Sequence, residues 1–335
     1  MSRTPDSPAR TVAVLGPIPY DRVTTHHGDV IEKFGCVLYT VAALSALLAP
    51  DDRIAPIVHV RQKDEQAIRA LLGQFPQVDL TGVRSHLDRG DVVDLTYLDQ
   101  NRREERQTHF MAPIRPEDVE FVIDADAFVC VPITDYQVSQ DTLRYIKEHG
   151  HGTILLDGHG PTVALTEGGA RRHRLWIERD AWLPYLDILK MNLDEAGCSW
   201  FPPGSSPTTT GAAPLSLADL PAFARHCLDR GVLAVCVTLD EEGCVVYHRG
   251  DDGAVVEDIV GRLKVPAVVD TTGCGDSFAA GMAYGYLAHG NIAEAARYGN
   301  AMGAQRCMAT ELTGYLPLLE TERQIAETYG VVSRG

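Results

Sequence analysis

Short apolar runs alternate with longer amphipathic segments along most of the chain. The apolar runs have the length and composition of buried strands, and the amphipathic segments have the periodicity of helices. Strands are predicted at 12–16, 54–60, 127–131, 153–156, 188–192, 233–238 and from 243 onward. Helices are predicted at 36–49, 65–72, 139–148, 220–230, 275–287, 293–307 and 320–329. This alternation predicts an α/β fold with a doubly wound, mostly parallel sheet flanked by helices.

One segment interrupts the pattern. Residues 91–110 contain two β-prone runs separated by the polar turn 99–103, which indicates a hairpin with much polar surface. A hairpin inside an α/β pattern predicts a small sheet set apart from the main one. A second irregular segment, 204–214, is rich in Ser, Thr and Pro and is typical of a surface loop.

Composition narrows the classes of function. The chain has 335 residues, 45% of them hydrophobic, and a formal net charge of -16. An acidic surface argues against a nucleic-acid or anionic-membrane partner, because both need basic residues that displace counterions. The longest apolar stretch, 36–48, is too short for a bilayer of roughly 30 Å. We expect a soluble, cytoplasmic protein with a flexible N-terminus at residues 1–9.

The run Asp270-Thr271-Thr272-Gly273-Cys274-Gly275-Asp276 carries the strongest chemical signal. It lies between an apolar stretch and a small-residue helix. The two glycines allow successive N–H groups to converge at the helix N-terminus, where the dipole favours negative charge. A carboxylate in the first turn, Asp276, could accept the proton of an attacking hydroxyl. The simpler alternative is that Asp276 only caps a helix.

This run resembles the second signature of the PfkB, or ribokinase-like, carbohydrate kinase family, Asp-Thr-x-Gly-Ala-Gly-Asp, with Cys274 in place of Ala. The resemblance implies a ribokinase-like fold with a small β-sheet lid and an ATP-dependent kinase. It also implies that Asp276 is the catalytic base and that Gly273, Cys274 and Gly275 form an anion hole. Thr271 would contact the nucleotide, and Asp270 and Thr272 could hold a monovalent cation such as K⁺.

Asn192 and Glu195 match the family's Asn-x-x-Glu element after a strand. They lie one helical turn apart on one face, where an amide and a carboxylate could hold water around Mg²⁺. The alternative is a capping pair, with Asn192 as the N-cap and Glu195 at the third position.

The segment 237–243 resembles the family's nucleotide loop, with Thr238 and Gly243 kept and Asp240 where Gly is usual. Asn300 resembles an Asn near the adenine pocket. We therefore expect Thr238, Asp240, Gly243 and Asn300 to lie around ATP.

The N-terminal half matches the family less well. Asp21 keeps the position of a sugar-binding Asp, Gly35 and Cys36 stand where the family has Gly-Gly, and His159 replaces Asn in the Asp-x-Asn element. The residues that the resemblance places around the acceptor are Asp21, Gly35, Cys36, Thr40, Asp157 and His159. The nucleotide-binding half thus follows the family pattern, whereas the acceptor half departs from it.

The resemblance also implies a division of the chain. The kinase core is predicted at 10–17, 36–90 and 113–330, and the lid at 18–35 and 91–112. Lids of this kind exclude water, and their exposed sheet faces need cover, so a homodimer through the lid is expected.

We expect transfer of the γ-phosphoryl group of ATP to a small-molecule alcohol, either a sugar or a sugar-like polyol such as a cyclitol. A nucleoside acceptor, as in adenosine, inosine or cytidine kinases, is the alternative. A non-catalytic binder of the same fold is disfavoured because the base and the anion-hole glycines remain. A Rossmann oxidoreductase is disfavoured more strongly, because the turn after residue 16 lacks Gly-x-Gly-x-x-Gly.

Overall fold

A nine-stranded sheet forms the centre of the computed structural model, which describes residues 8–98, 103–201 and 215–330. The strands are β1 (Thr11–Leu15), β2 (Tyr20–Thr24), β3 (Val30–Phe34), β4 (Arg53–Arg61), β5 (Val83–His86), β6 (Val92–Tyr97), β7 (Arg103–His109), β8 (Ala127–Cys130), β9 (Thr153–Asp157), β10 (Val163–Leu165), β11 (Arg171–His173), β12 (Ile188–Asn192), β13 (Ala234–Thr238), β14 (Gly243–Arg249) and β15 (Val255–Gly261). The predicted loop 204–214 and the turn residues 99–102 lie outside the described residues.

Helices connect most of these strands. They are α1 (Val37–Leu47), α2 (Glu65–Leu72), α3 (Pro116–Val119), α4 (Gln140–His149), α5 (Arg179–Trp182), α6 (Leu193–Ser199), α7 (Leu220–Leu228), α8 (Cys274–His289), α9 (Ile292–Cys307) and α10 (Leu318–Tyr329). None of the helices in the described ranges has both the length and the apolar character that crossing a membrane requires.

The main sheet has the order β15-β14-β13-β12-β9-β8-β1-β4-β5. Its strands from β13 to β5 are parallel, and β14 and β15 add an antiparallel edge. Both faces are covered, as β1 illustrates: Val12 and Val14 pack against α1, α8 and α9, whereas Ala13 and Leu15 pack into the opposite cluster with α4 and α7. Burial on both faces explains why the parallel strands read as continuous apolar runs. The predicted doubly wound α/β fold is confirmed.

The lid is a separate four-stranded sheet of order β3-β2-β6-β7. Its strands lie within 18–35 and 91–112, and the predicted hairpin is the antiparallel pair β6–β7. Val23, Val93 and Leu95 form a buried apolar cluster on one face of the lid. The residues that alternate with these along the strands include a cross-strand row of opposite charges, formed by Glu32, Arg22, Asp94 and Arg106.

Helices α8 and α9 pack unusually close together because glycines stand at their contact. A Cβ atom on Gly281 would lie 2.3 Å from the carbonyl oxygen of Tyr298, and one on Gly285 would lie 2.7 Å from the Cα of Ala295. These positions admit no larger residue unless the helices move apart. The small-residue pattern of the predicted helix 275–287 is therefore a packing requirement.

Candidate active site

A cavity of about 910 Å³ lies at the carboxyl ends of the parallel strands. Its lining includes Asp157, Asn192 and Thr238, which end or follow neighbouring strands, together with lid residues and the start of α8. Ligands of open α/β sheets bind at this edge, so the cavity is the natural place for a reaction centre.

The start of α8 forms one wall of the cavity. Gly273 is the N-cap and has φ +85°, and a Cβ atom there would lie 2.3 Å from Cδ2 of Tyr39. Only glycine satisfies both the left-handed backbone and the contact with the aromatic ring. The amides of Gly275 and Asp276 follow in the first helical turn, where intrahelical acceptors do not exist. The arrangement suits an anion, as the sequence predicted.

Asp276 lies in this first turn, with its side chain at the cavity. Removal from bulk water and the nearby Asp157 carboxylate raise the pKa of Asp276 to about 6, although Lys190 opposes the shift. Cys36 Sγ lies 3.4 Å from Asp276 Oδ1 and 3.1 Å from the carbonyl oxygen of Val131. Burial raises the pKa of Cys36 well above its ordinary value, so the thiol keeps its proton and donates it to one of these oxygens at a time. Asp276 is thus a carboxylate that can accept a proton near neutral pH.

Lys190 is a central residue of the site that the sequence analysis missed. Its Nζ donates to Asp157 Oδ2 at 2.7 Å, and both side chains are buried. The same Nζ lies 3.1 Å from the position that a Cβ atom on Gly275 would take. The Asp157 partner raises the pKa of Lys190 despite its burial, so the side chain is a fixed cation beside the first turn of α8. A lysine in the middle of β12, a strand that is otherwise apolar up to Asn192, was the available signal.

Asn192 and Glu195 form the capping box that the sequence offered as an alternative to a metal site. Asn192 Oδ1 accepts from the Glu195 amide at 2.8 Å, and Glu195 Oε2 accepts from the Asn192 amide at 2.8 Å. Glu195 Oε1 also accepts from Asn192 Nδ2 (3.0 Å) and pairs with His159 Nδ1 (2.9 Å). Burial alone would raise the pKa of Glu195, but the bond with His159 lowers it. Both residues of the pair line the cavity.

Arg171 joins this cluster to the lid. Its guanidinium donates to Glu105 Oε2 at 3.0 Å and Gln107 Oε1 at 2.9 Å, both on β7, and to the carbonyl oxygen of Ile133 at 2.8 Å. Its Nη2 also lies 3.0 Å from His159 Nε2. His159 therefore lies between Glu195 and a lid-bound arginine. Sequence reasoning missed Arg171, because a basic stretch on a short strand resembles an exposed loop.

The predicted nucleotide loop also lines the cavity. Thr238, Asp240, Gly243 and Asn300 all contribute to the lining. Asp240, which stands where the family has glycine, adopts φ +49°, a left-handed conformation that Asp tolerates better than most residues. Asn300 Nδ2 lies 3.1 Å from the carbonyl oxygens of Val260 and Gly261, so the amide group ties α9 to β15.

The residues that precede α8 are tightly held. Thr271 and Thr272 line the cavity, and Asp270 Oδ1 accepts from the Thr272 amide at 2.9 Å. Asp270 Oδ2 accepts from Lys33 Nζ at 2.8 Å and from Arg306 Nη2 at 2.9 Å. Although partial burial opposes it, the bonds from Lys33 and Thr272 lower the pKa of Asp270 to about 2.

Of the acceptor residues predicted from the resemblance, Asp21 lines the cavity, whereas Thr40 does not. Asp21 lines the cavity, where burial raises its pKa to about 7, and a Cβ atom on Gly35 would lie 2.7 Å from its Oδ2. Gly35 therefore leaves room for the Asp21 carboxylate. Thr40 is fully buried, and its hydroxyl donates to the backbone oxygen of Asp276 at 3.3 Å. The structure thus places Thr40 beneath Asp276 and not at the cavity surface.

Comparison with known proteins finds similar sequences for part of the chain. The model of the pfkB family carbohydrate kinases matches residues 174–317, which include the start of α8. An uncharacterized sugar kinase of Archaeoglobus fulgidus is 39% identical over 87 residues, which make up 26% of this chain. The match spans 32% of that protein's length.

Solved structures of low identity share the fold over nearly the whole chain. A ribokinase of Arabidopsis thaliana complexed with ribose and ATP gives a TM-score of 0.71 at 15% identity, covering 95% of this chain and 99% of that one. A pyrophosphate-dependent kinase in the ribokinase family gives 0.70 at 18% identity, with 95% and 99% covered. A nucleoside kinase of Burkholderia thailandensis in complex with inosine gives 0.68 at 18% identity, with 97% and 100% covered. The shared fold and the family match over residues 174–317 together confirm the resemblance to the PfkB, ribokinase-like carbohydrate kinases.

Proposed function

We propose that the protein is a phosphotransferase that moves the γ-phosphoryl group of ATP to a hydroxyl of a sugar or sugar-like polyol. One observation carries the proposal: Asp276, a carboxylate with a pKa near neutrality, lies in the same helical turn as the anion-hole amides and beside the fixed cation Lys190.

The residues divide the work of phosphoryl transfer. Asp276 accepts the proton of the acceptor hydroxyl as the oxygen attacks phosphorus. The amides after Gly273 and the ammonium group of Lys190 stabilise the negative charge that spreads over the transferring group. Asp157 holds Lys190 in place through their ion pair at 2.7 Å. Closure of the lid removes water, which would otherwise compete with the acceptor.

The residues fit a magnesium ion that is held through water. Glu195 lies at the cavity, but its carboxylate already takes part in hydrogen bonds with Asn192 and His159. The described residues contain no group of three or more His, Cys, Asp and Glu side chains able to hold a metal ion. Mg²⁺ keeps several waters and is bound largely by substrate phosphates, which suits a single carboxylate in this position. When bound, the ion would neutralise phosphate charge.

The donor side of the cavity favours a nucleotide over a bare pyrophosphate. Leu263, Val265, Val268 and Ala304 extend the lining beyond the phosphate region with apolar surface that a purine base can cover. Use of ATP agrees with the cytoplasmic location expected from the sequence. Because one structural neighbour is a pyrophosphate-dependent kinase, pyrophosphate is a necessary comparison donor.

The acceptor side favours a neutral polyol. Asp21, Glu105 and Asp157 present carboxylates there, and Arg171 is occupied by Glu105 and Gln107. Carboxylates accept hydrogen bonds from hydroxyl groups, which suits a neutral polyol. The apolar wall formed by residues 93, 95 and 133 leaves a nucleoside as the second candidate, because a base could pack against it.

Product formation from ATP or pyrophosphate across hexoses, pentoses, cyclitols, nucleosides and phosphosugars tests the proposal. We expect ATP-dependent turnover of a neutral polyol, and Asp276→Asn serves as the inactive control. Preferential turnover of a nucleoside would establish the alternative. Absence of turnover with every donor and acceptor, despite tight binding of ligands, would indicate a non-catalytic binder.

We also propose a homodimer through the lid. The charged row of Glu32, Arg22, Asp94 and Arg106 does not need to be covered by a second chain. The support for a dimer comes instead from the open edge of β3, where Val30 and Ile31 are each 50% exposed. Strand edges of this kind pair readily. Light scattering of the full chain should give twice the chain mass, and Ile31→Lys should give the monomer mass.

A further inference from the structure

Two positively charged side chains meet at one carboxylate oxygen beside the anion hole. Asp270 Oδ2 accepts hydrogen bonds from Lys33 Nζ and from Arg306 Nη2, while Oδ1 accepts from the Thr272 amide. These partners are 237 and 36 residues away along the chain. The proposed transfer reaction uses neither of them directly.

Arg306 is buried and is therefore not an ordinary surface charge. Its side chain has no exposed area. The guanidinium lies over the ring of Tyr39, with Cζ 4.5 Å from the ring centroid, and also donates to the carbonyl oxygen of Ala309. The ring of Tyr39 in turn contacts Gly273 at the N-cap of α8. Arg306 therefore holds the anion hole from two sides, through Asp270 and through Tyr39.

Lys33 brings the lid to the same point. It lies on β3, directly across from Asp21 on β2, and its side chain is 22% exposed. Its bond to Asp270 joins the lid to the segment that leads into the anion hole. The position of the lid and the position of that segment are thus physically linked.

This arrangement does not fit the monovalent cation that the resemblance placed at Asp270 and Thr272. A monovalent cation would have to bind the Asp270 oxygens directly, but both accept hydrogen bonds, and Oδ2 accepts from two positively charged groups. The carbonyl oxygen of Ala309 accepts from Arg306, and that of Cys307 accepts from the amides of residues 269 and 270. An added positive charge would also meet two fixed ones, which is unfavourable at short range.

We propose that Lys33 and Arg306 take the place of a monovalent cation: they position the anion hole, and catalysis proceeds without K⁺. The inference rests on the proposed kinase reaction. Both are positioning residues, because they act through Asp270 and the backbone that follows it.

Two measurements on the full chain test this. The first is the thermal unfolding midpoint without substrates in potassium, sodium, caesium and choline chloride at equal ionic strength. The second is the initial rate in the same salts, with the donor and acceptor found by the panel above. We expect unfolding midpoints that do not single out K⁺, and rates that agree within about twofold, as general salt screening predicts.

Variants assign the effect to the two side chains. Lys33→Met should lower kcat by about tenfold or more while the KM for ATP stays near the wild-type value, because the lost contact acts on the transition state. Arg22→Met, an exposed lid position on the neighbouring strand, is the matched control and should retain wild-type rates. Arg306→Lys tests the buried site with its charge retained and should keep more activity than Arg306→Met.

A rate increase or a rise in unfolding midpoint specific to K⁺ in the wild-type protein would overturn the proposal. Equal kcat values for Lys33→Met and Arg22→Met would overturn it as well. The unfolding experiment needs no substrate, so it remains decisive even if the panel finds no turnover.

Discussion

Backbone conformation and packing together require glycine at position 273. A Gly273→Ala substitution adds one methyl group at the N-cap of α8, where φ is +85° and the new carbon would lie 2.3 Å from Cδ2 of Tyr39. Tyr39 cannot retreat easily, because the Arg306 guanidinium lies against its ring. The substitution therefore combines an unfavourable backbone conformation with a steric clash.

A matched control separates these two effects. Gly290 ends the same helix with φ +62°, and a Cβ atom there would meet nothing within 4 Å. Gly290→Ala should lower the free energy of unfolding by about 1 kcal/mol, the cost of a left-handed alanine. Gly273→Ala should add about 1–3 kcal/mol for overpacking, giving a total of about 2–4 kcal/mol.

Urea denaturation of both variants measures the difference directly, and steady-state kinetics reports on the anion hole. We expect Gly273→Ala to lower kcat by about 10²-fold or more, because the amides that follow it are displaced from the transferring group. Gly290→Ala should leave kcat unchanged. The reasoning would be refuted if the two variants lost equal stability or if Gly273→Ala kept normal turnover.

Further predictions concern the charged residues of the site. Asp276→Asn should reduce kcat by about 10²–10⁴-fold with calorimetric ATP affinity unchanged; normal turnover would remove Asp276 from the mechanism. In the wild-type protein kcat/KM should fall about tenfold per pH unit below about 6, because burial raises the pKa of the base to that value and protonation removes its accepting lone pair; a flat profile down to pH 4 would contradict this. Lys190→Met should cost about 3 kcal/mol in urea denaturation, since Asp157 loses its buried partner, and a smaller loss of stability than in Gly290→Ala would contradict the ion-pair argument. Asp240→Gly should change the free energy of unfolding by less than about 1 kcal/mol and leave the KM for ATP unaltered, because Asp240 already has the left-handed backbone; a tenfold higher KM would give its side chain a direct function.

The sequence predicted those parts of the fold that depend on local pattern. The parallel strands are buried on both faces and therefore appear as apolar runs, as β12 does at Ile188–Asn192. Strand β15 was missed because, at the edge of the sheet, three of its seven residues are exposed and three are only partly buried. The brief strands β10 and β11 leave no periodicity to detect.

The same distinction holds for the site. The segment from Asp270 to Asp276 is contiguous, so its chemistry could be recognised from seven residues. Lys33, Arg171 and Arg306 reach the site only because the lid, a short strand and α9 converge in three dimensions. Nothing in the local sequence around any of them distinguishes a site residue from a solvated one.

The close packing of α8 against α9 also affects the width of the proposed donor pocket. Helix α8 begins at the proposed anion hole, and α9 carries Asn300, Ala304 and Cys307, which line the cavity where we propose that the nucleotide binds. The distance between the phosphate end and the base end of the pocket is thus set by two glycines, Gly281 and Gly285, that line neither. Enlarging either glycine would spread the helices and carry the nucleotide wall away from the anion hole. The width of the proposed donor pocket therefore depends on the interface between α8 and α9, away from the reacting atoms.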